Sequence, residues 1–176
     1  MKYRSLILTI SDYWNYGNRL QNYALERMLE RYGTSTTIYS CIDHPSLEKN
    51  SLFWIKNLIK HIYSSIFSDD RALSFIRNLK FQVFTRKYVP DDNFSFLMKS
   101  GLRAKQKKDF VYLVIGSDQV WNYKWLSKKG LALRLGSFVS DDHPIISYAA
   151  SFGVSEVDND AKIIFQKYLP RLKTIS

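Results

Sequence analysis

The sequence predicts an α/β fold, a parallel sheet with helices flanking it. Three observations lead there. The chain opens with a strand, a loop, a helix and a second strand, in that order. Two later apolar runs, Phe110–Ile115 and Ile145–Ala150, pass directly into clusters of small and polar residues. A further helical stretch, Ser155–Leu169, hands over to a short β-forming segment. Strands alternating with helices make a layered α/β fold, in which helices cover the faces of a parallel sheet.

Each element has its own signal. Ser5–Ile10 is a short apolar run with β-branched members, ending in Ser11-Asp12-Tyr13, and reads as a buried parallel strand. Asn18–Tyr32 reads as a helix. Leu20, Ala24, Met28 and Tyr32 fall on one face, with Glu26, Arg27, Glu30 and Arg31 expected to face water and Gly33 as the stop. Thr36–Cys41 is a second β-branched strand. Ser51–Phe67 and Arg71–Tyr88 read as helices, the first with Trp54, Leu58, Ile62 and Ile66 at helical spacing. The second has Leu73, Ile76, Leu79, Val83 and Phe84, a stripe assigned to the core, with an insertion packed on the domain or set on a membrane face as the lesser reading of this aromatic and basic stretch, and Ser68-Asp69-Asp70 before it supplies cap and turn chemistry. In Ser155–Leu169, Ser155 and Asp158 are spaced as a capping pair. Thr174-Ile175-Ser176 resembles the first residues of another strand, so the chain is expected to stop in mid-fold.

Composition bounds the function classes. The chain has 176 residues, the size of one domain, and 45% hydrophobic against 24% charged residues, enough to bury a core. Its net charge of +10 admits nucleic acid, an anionic membrane surface or a small anionic substrate as partner. Nucleic-acid binding is not expected, because the basic residues are spread along the chain rather than gathered with aromatics. The densest basic run, Arg103–Lys108, reads as a solvated loop or helix end. A single cysteine, Cys41, excludes an internal disulfide, and without a His or Asn partner it reads as buried and inert. His44, His61 and His143 are scattered, so no metal site is expected. Leu6–Ile10 is too short for a signal core and no apolar stretch is long enough to span a bilayer. A cytoplasmic protein follows, peripheral to the inner face of the membrane if it meets a membrane at all.

In an open parallel sheet, ligands bind beyond the carboxyl ends of the strands. Three polar segments fall there: Asn15-Tyr16-Gly17-Asn18-Arg19-Leu20-Gln21-Asn22, Gly116-Ser117-Asp118-Gln119-Val120-Trp121-Asn122 and Ser147-Tyr148-Ala149-Ala150-Ser151-Phe152-Gly153. None carries a glycine-rich dinucleotide fingerprint or a phosphate-binding P-loop. In the first, a glycine permits close backbone approach and the following helix offers free N–H groups to an anion. Asn18 equally serves as the N-cap of that helix. In the second, Gly116 to Gln119 suit a structural turn and a ligand edge alike, while Trp121 and Asn122 add a stacking wall and a hydrogen-bonding edge for a sugar.

Taken together, these segments resemble the polysaccharide pyruvyl transferase family. The residues that carry the resemblance are Ile10 with Asn15 to Leu25, Val114 to Asn122, and Ser147 to Gly153, in that order. The resemblance implies a Rossmann-like lobe of a two-lobe, GT-B-type glycosyltransferase fold, with the active site between the lobes. Residues 1–176 would then be the amino-terminal lobe, truncated before the second. It also implies transfer of pyruvate from phosphoenolpyruvate, the donor substrate, to a sugar hydroxyl of a glycan or lipid-linked acceptor in exopolysaccharide or cell-surface glycan synthesis, without a further cofactor.

On that resemblance, the substrate-binding wall would comprise Asn15, Tyr16, Gly17, Asn18, Arg19, Gln21, Asn22, Gly116, Ser117, Gln119, Trp121, Asn122, Ser151, Phe152 and Gly153. Asp118, the one strand-end carboxylate in the motifs, would be the general base. The donor-holding cations of the family are attributed to the other lobe, so this chain alone is expected to be inactive. An apolar docking face left uncovered would promote self-association.

Overall fold

Two runs of apolar residues form the centre of the molecule because they are buried on both sides, the condition for a strand in a covered parallel sheet. In the computed structural model, which describes residues 3–10, 15–39, 69–89, 91–93 and 112–176, these runs are β1 (Tyr3–Leu8) and β4 (Tyr112–Asp118). Around them lie β2 (Gly33–Tyr39), β3 (Asp91–Asn93), β5 (Ile145–Ala150) and β6 (Leu172–Ile175). The six strands run in the order β3-β2-β1-β4-β5-β6, all parallel. This is the doubly wound, Rossmann-like order, and it reverses direction between β1 and β4.

Alternation along the two central strands divides the core into two layers. Leu6, Leu8, Leu113 and Ile115 point to one face. There they join Val120, Trp121, Leu131, Leu135, Ile145, Ala161 and Phe165 from the segments that follow β4 and β5. Ile7 and Val114 point to the other face and meet Leu25 of the helix after β1. Among the described residues, four helices provide the covering: α1 (Tyr16–Leu29), α2 (Asp69–Tyr88), α3 (Lys128–Arg134) and α4 (Asn159–Tyr168).

The strand expectations hold with shifts of two to three residues at their ends, and β5 matches its expected bounds. The last strand begins at Leu172 and pairs with β5 through Ile145↔Leu172 and Ser147↔Ile175. Neither β3 nor α3 was expected. β3 is three residues long with an Asp-Asp-Asn sequence, which carries no strand propensity. α3 is seven residues long, too short for a periodic stripe; its one signal was Ser127, whose hydroxyl accepts from the Gly130 amide at 3.0 Å. The expected helix over Ser51–Phe67, the basic run 103–108, Cys41, His44 and His61 lie outside the described residues.

Three helical readings are corrected. The face of α1 turned to the sheet holds Asn18, Arg19, Asn22, Leu25 and Glu26, while Leu20, Met28 and Tyr32 are exposed. That inward stripe is polar because it bonds to strand ends and to β2 rather than filling a cavity. Counting apolar residues therefore selects the wrong side, and Glu26 is buried instead of solvated. In α2 the inward residues are Phe81 and Thr85, with buried Val89 just past its end; Leu73, Ile76, Leu79 and Val83, assigned to the core, face outward. Aromatic contacts decide that orientation: Phe81 meets Tyr16 at 4.5 Å, and Phe84 and Tyr88 meet Tyr23 at 5.9 and 5.8 Å. In α4 the N-cap is Asp158 itself, accepting from the Ala161 amide at 2.7 Å, and Ser155 lies outside the helix.

Candidate functional site

The strand order reverses between β1 and β4, the place where an open parallel sheet offers a ligand crevice at its carboxyl edge. The first wall comes from β1 and α1. Asn15, not Asn18, is the N-cap: its Oδ1 accepts from the Asn18 amide at 3.3 Å. Asn15, Tyr16, Gly17 and Gln21 face solvent. Arg19 is buried instead. Its Nη2 donates to the Ile10 carbonyl at 2.7 Å and to Asn18 Oδ1 at 3.0 Å, tying the end of β1 to the start of α1. A guanidinium used this way holds the wall in place rather than presenting charge to a ligand.

The second wall follows β4. Ser117 is nearly buried, and its Oγ donates to Gln21 Oε1 at 3.2 Å, joining the two walls. Asp118 ends the strand in the left-handed region, with φ 69°. Its carbonyl accepts from the Val120 amide at 2.8 Å, turning the chain, and from the Ser151 amide at 2.8 Å. Its half-exposed side chain is thus held on a backbone anchored at two points. Gly116 runs so close to β5 that a Cβ there would lie 1.9 Å from the Tyr148 carbonyl oxygen, and its φ of 144° suits glycine alone.

The third segment locks onto the second. Trp121 donates its amide to the Ser151 carbonyl at 3.2 Å, and Gly153 packs against the Gln119 side chain. Gln119 Oε1 in turn accepts from Asn122 Nδ2 at 3.0 Å. Ser151 and Gly153 are exposed, and Phe152 is half-buried between Trp121 and Phe165, at ring distances of 5.5 and 4.8 Å.

The structure therefore brings all three segments to one edge, with the members of each in two roles. Asn15, Tyr16, Gly17, Gln21, Asp118, Gln119, Ser151 and Gly153 reach the surface. Asn18, Arg19, Asn22, Gly116, Ser117, Trp121 and Asn122 are buried beneath it. Trp121 is 2% exposed and donates Nε1 to the Arg134 carbonyl, so its ring supports the crevice from the core and offers no stacking face. Asn122 caps the turn at Tyr123–Trp125, its Oδ1 accepting from the Lys124 amide at 3.2 Å.

A buried polar relay lies behind the first wall. Thr37 Oγ1 on β2 is 2.8 Å from Asn22 Oδ1 and 2.7 Å from Glu26 Oε1. Burial pushes the Glu26 carboxyl up to about 7, against the opposing pull of the Thr37 hydroxyl and amide and of Arg27. A hydroxyl carries one proton, so Thr37 donates to one neighbour at a time. With Glu26 protonated, the carboxyl donates to Thr37 and Thr37 donates on to Asn22. Sequence pattern missed this relay because Glu26 lies in a run of charges that reads as a solvated face.

Chemically, the exposed set is hydroxyl, amide and carboxylate beside the amino terminus of α1. Among the described residues of these three segments, the one cation is the buried Arg19. The edge is thus suited to hydroxylated ligands, with Asp118 as the group able to accept a proton. No group of three His, Cys, Asp or Glu able to hold a metal occurs among the described residues. His143 lies away from these segments, its Nδ1 3.1 Å from Ser140 Oγ.

Against this geometry, the polysaccharide pyruvyl transferase family model matches residues 15–176, nearly the whole chain. No curated protein and no solved structure matches it.

Proposed function

From the premise that the chain belongs to the polysaccharide pyruvyl transferase family, we propose that its crevice is the acceptor-side wall of a ketal-forming transferase using phosphoenolpyruvate. The carrying observation is the convergence of Gln21, Ser117, Asp118 and Ser151 at the switch point, with Arg19 withdrawn into the wall. Amides and hydroxyls recognise sugar hydroxyls. The phosphate and carboxylate of the donor need cations, which this reading assigns to a second lobe of the two-lobe, GT-B-type arrangement.

In the proposed reaction, a general acid protonates the methylene carbon of the enolpyruvyl group and the central carbon becomes cationic. One acceptor hydroxyl attacks that carbon as Asp118 takes its proton. A neighbouring hydroxyl then displaces phosphate, which carries away that hydroxyl's proton as hydrogen phosphate, closing a cyclic pyruvate ketal. A glycan or lipid-linked sugar of cell-surface polysaccharide synthesis, handled in the cytoplasm, is the acceptor class this reading requires.

The test is phosphate release from phosphoenolpyruvate with a panel of sugar acceptors, and detection of the ketal methyl signal by NMR. It is run on this chain and on a form carrying a second α/β lobe. The reading expects activity in the two-lobe form alone, because both walls are needed to orient donor and acceptor. Turnover by the short chain overturns the half-site assignment. A two-lobe form that binds acceptor sugars yet releases no phosphate from phosphoenolpyruvate points to a different donor, and one that binds neither points to a non-catalytic module.

A further inference from the structure

The two faces of α2 are built for different surroundings. Inward, Phe81 and Thr85, with Val89 just past the helix end, are at most 3% exposed, and Phe81 packs on Tyr16 of α1. Outward, Leu73, Ile76, Leu79 and Val83 are 62, 48, 39 and 64% exposed. At 3.6 residues per turn these four aliphatic side chains fall within an arc of about 120°. Exposed Lys80 and Lys87 lie inside the same arc and exposed Arg77 at its border. α2 opens on Asp69 and Asp70, and from Arg71 to Val89 the sequence holds Arg71, Arg77, Lys80, Arg86 and Lys87 and no further Asp or Glu. The chain as a whole carries +10.

An aliphatic stripe interleaved with cations, with acids only in the first turn of its helix, selects its partner by charge. A second copy of the same face would set like charges against each other, which costs association. A nucleic-acid strand would need planar groups to stack on, and the stripe is aliphatic. An anionic lipid surface meets both halves of the pattern. Aliphatic side chains enter between head groups and lysines hold the phosphates at the boundary. No helix among the described residues is long and apolar enough to cross a membrane, so α2 would lie along the surface and not through it.

We propose that the outward face of α2, Leu73, Ile76, Leu79 and Val83 with Arg77, Lys80 and Lys87, docks this protein on an anionic membrane surface. Docking there places the crevice beside the head groups, since Phe81 of α2 stacks on Tyr16 at the mouth of the first wall. This inference does not depend on the reaction the crevice performs.

The experiment is co-sedimentation with vesicles of phosphatidylcholine alone and of phosphatidylcholine mixed with phosphatidylglycerol, over a range of salt. The protein should partition to the anionic vesicles at least about tenfold better than to the neutral ones. The pair Ile76→Asp and Val83→Asp should lower that partition by about tenfold or more, and Lys80→Glu with Lys87→Glu should do the same and flatten the salt dependence. All four positions are exposed, and circular dichroism verifies that both variants stay folded. Failure to bind either vesicle overturns the proposal. So does anionic binding that ignores the aspartates, which would be charge attraction alone. A dimer in sedimentation velocity that the aspartates convert to monomer also overturns it, since a second copy would then own the face.

Discussion

Ser117 Oγ donates to Gln21 Oε1 across 3.2 Å, joining residues 96 apart in sequence at the point where the strand order reverses. The bond ties the two walls together, because Ser117 lies one residue before the end of the central strand β4 and Gln21 lies on the first turns of α1. Ser117 is nearly buried and Gln21 exposed, so water competes for only one partner. Ser117→Ala should cost about 1 kcal/mol, and the Ser117→Ala, Gln21→Ala double-mutant cycle should show a coupling of about 0.5 kcal/mol or more. Urea unfolding of the four proteins measures it. Strictly additive effects would mean that the two walls are not joined by this bond.

Two glycines of the motifs should respond differently to the same methyl group. At Gly116 the added Cβ would meet the Tyr148 backbone carbonyl at 1.9 Å, and neither chain can retreat without breaking the β4–β5 pairing. At Gly153 the nearest atoms, Oε1, Cδ and Cγ at 2.2, 2.5 and 2.7 Å, all belong to the Gln119 side chain, which can turn away from the backbone at the loss of its bond from Asn122 Nδ2. Gly116→Ala should therefore destabilise by more than about 3 kcal/mol or prevent folding. Gly153→Ala, at φ 63°, should cost about 2 kcal/mol from the left-handed backbone together with the lost Gln119–Asn122 bond. Thermal melts of both variants decide the ranking, and equal losses would contradict the backbone-versus-side-chain distinction.

The parallel sheet was legible because β1 and β4 are buried on both faces, and unbroken apolar runs are rare elsewhere. Convergence of the three motifs was legible for the same reason: parallel strands deliver the loops after them to one edge. What the pattern misread was burial on the helices. A stripe of Asn18, Arg19, Asn22 and Glu26 counts as a surface, yet it is the inward face of α1, held by bonds to the Ile10 carbonyl and to Thr37. Trp121 followed the same logic in reverse. Its place beside a polar turn suggested an exposed platform, while its indole is enclosed by Phe152 and the Arg134 carbonyl. Hydropathy records what a side chain prefers, not which partners the fold supplies.

Glu26 turns that misreading into a pH dependence. Its carboxyl titrates at about 7 in the folded chain against an ordinary 4.5, chiefly because burial disfavours the anion. Below the unfolded value both states bind the proton and the group contributes its full stability. As pH rises toward 7, the unfolded chain releases the proton first, and stability falls by about 3 kcal/mol before levelling off. Glu26→Gln keeps a neutral donor for Thr37 at every pH. The difference in unfolding free energy between variant and parent should be small near pH 4 and should grow in favour of the variant up to pH 8. Denaturant unfolding across that range checks it; a constant difference would place the Glu26 carboxyl in an ordinary, hydrated setting.

Asp118 allows chemistry to be separated from architecture. What the turn needs from this residue is its backbone: φ 69° and a carbonyl that accepts from both Val120 and Ser151. Asn tolerates the left-handed region well, so Asp118→Asn should leave stability within about 0.5 kcal/mol of the parent. Asp118→Ala, lacking that tolerance, should lose about 1 kcal/mol. A general base is a different matter, since the amide cannot take a proton from an attacking hydroxyl. In a two-lobe form that turns over, Asp118→Asn should lower kcat by roughly a hundredfold or more, with KM for the acceptor little changed. The pH–rate profile should lose its acidic limb, because that limb reports ionisation of the base. An intact limb in the Asn variant, with kcat reduced only a few-fold, would reduce Asp118 to a turn residue and send the search for the base to the facing lobe.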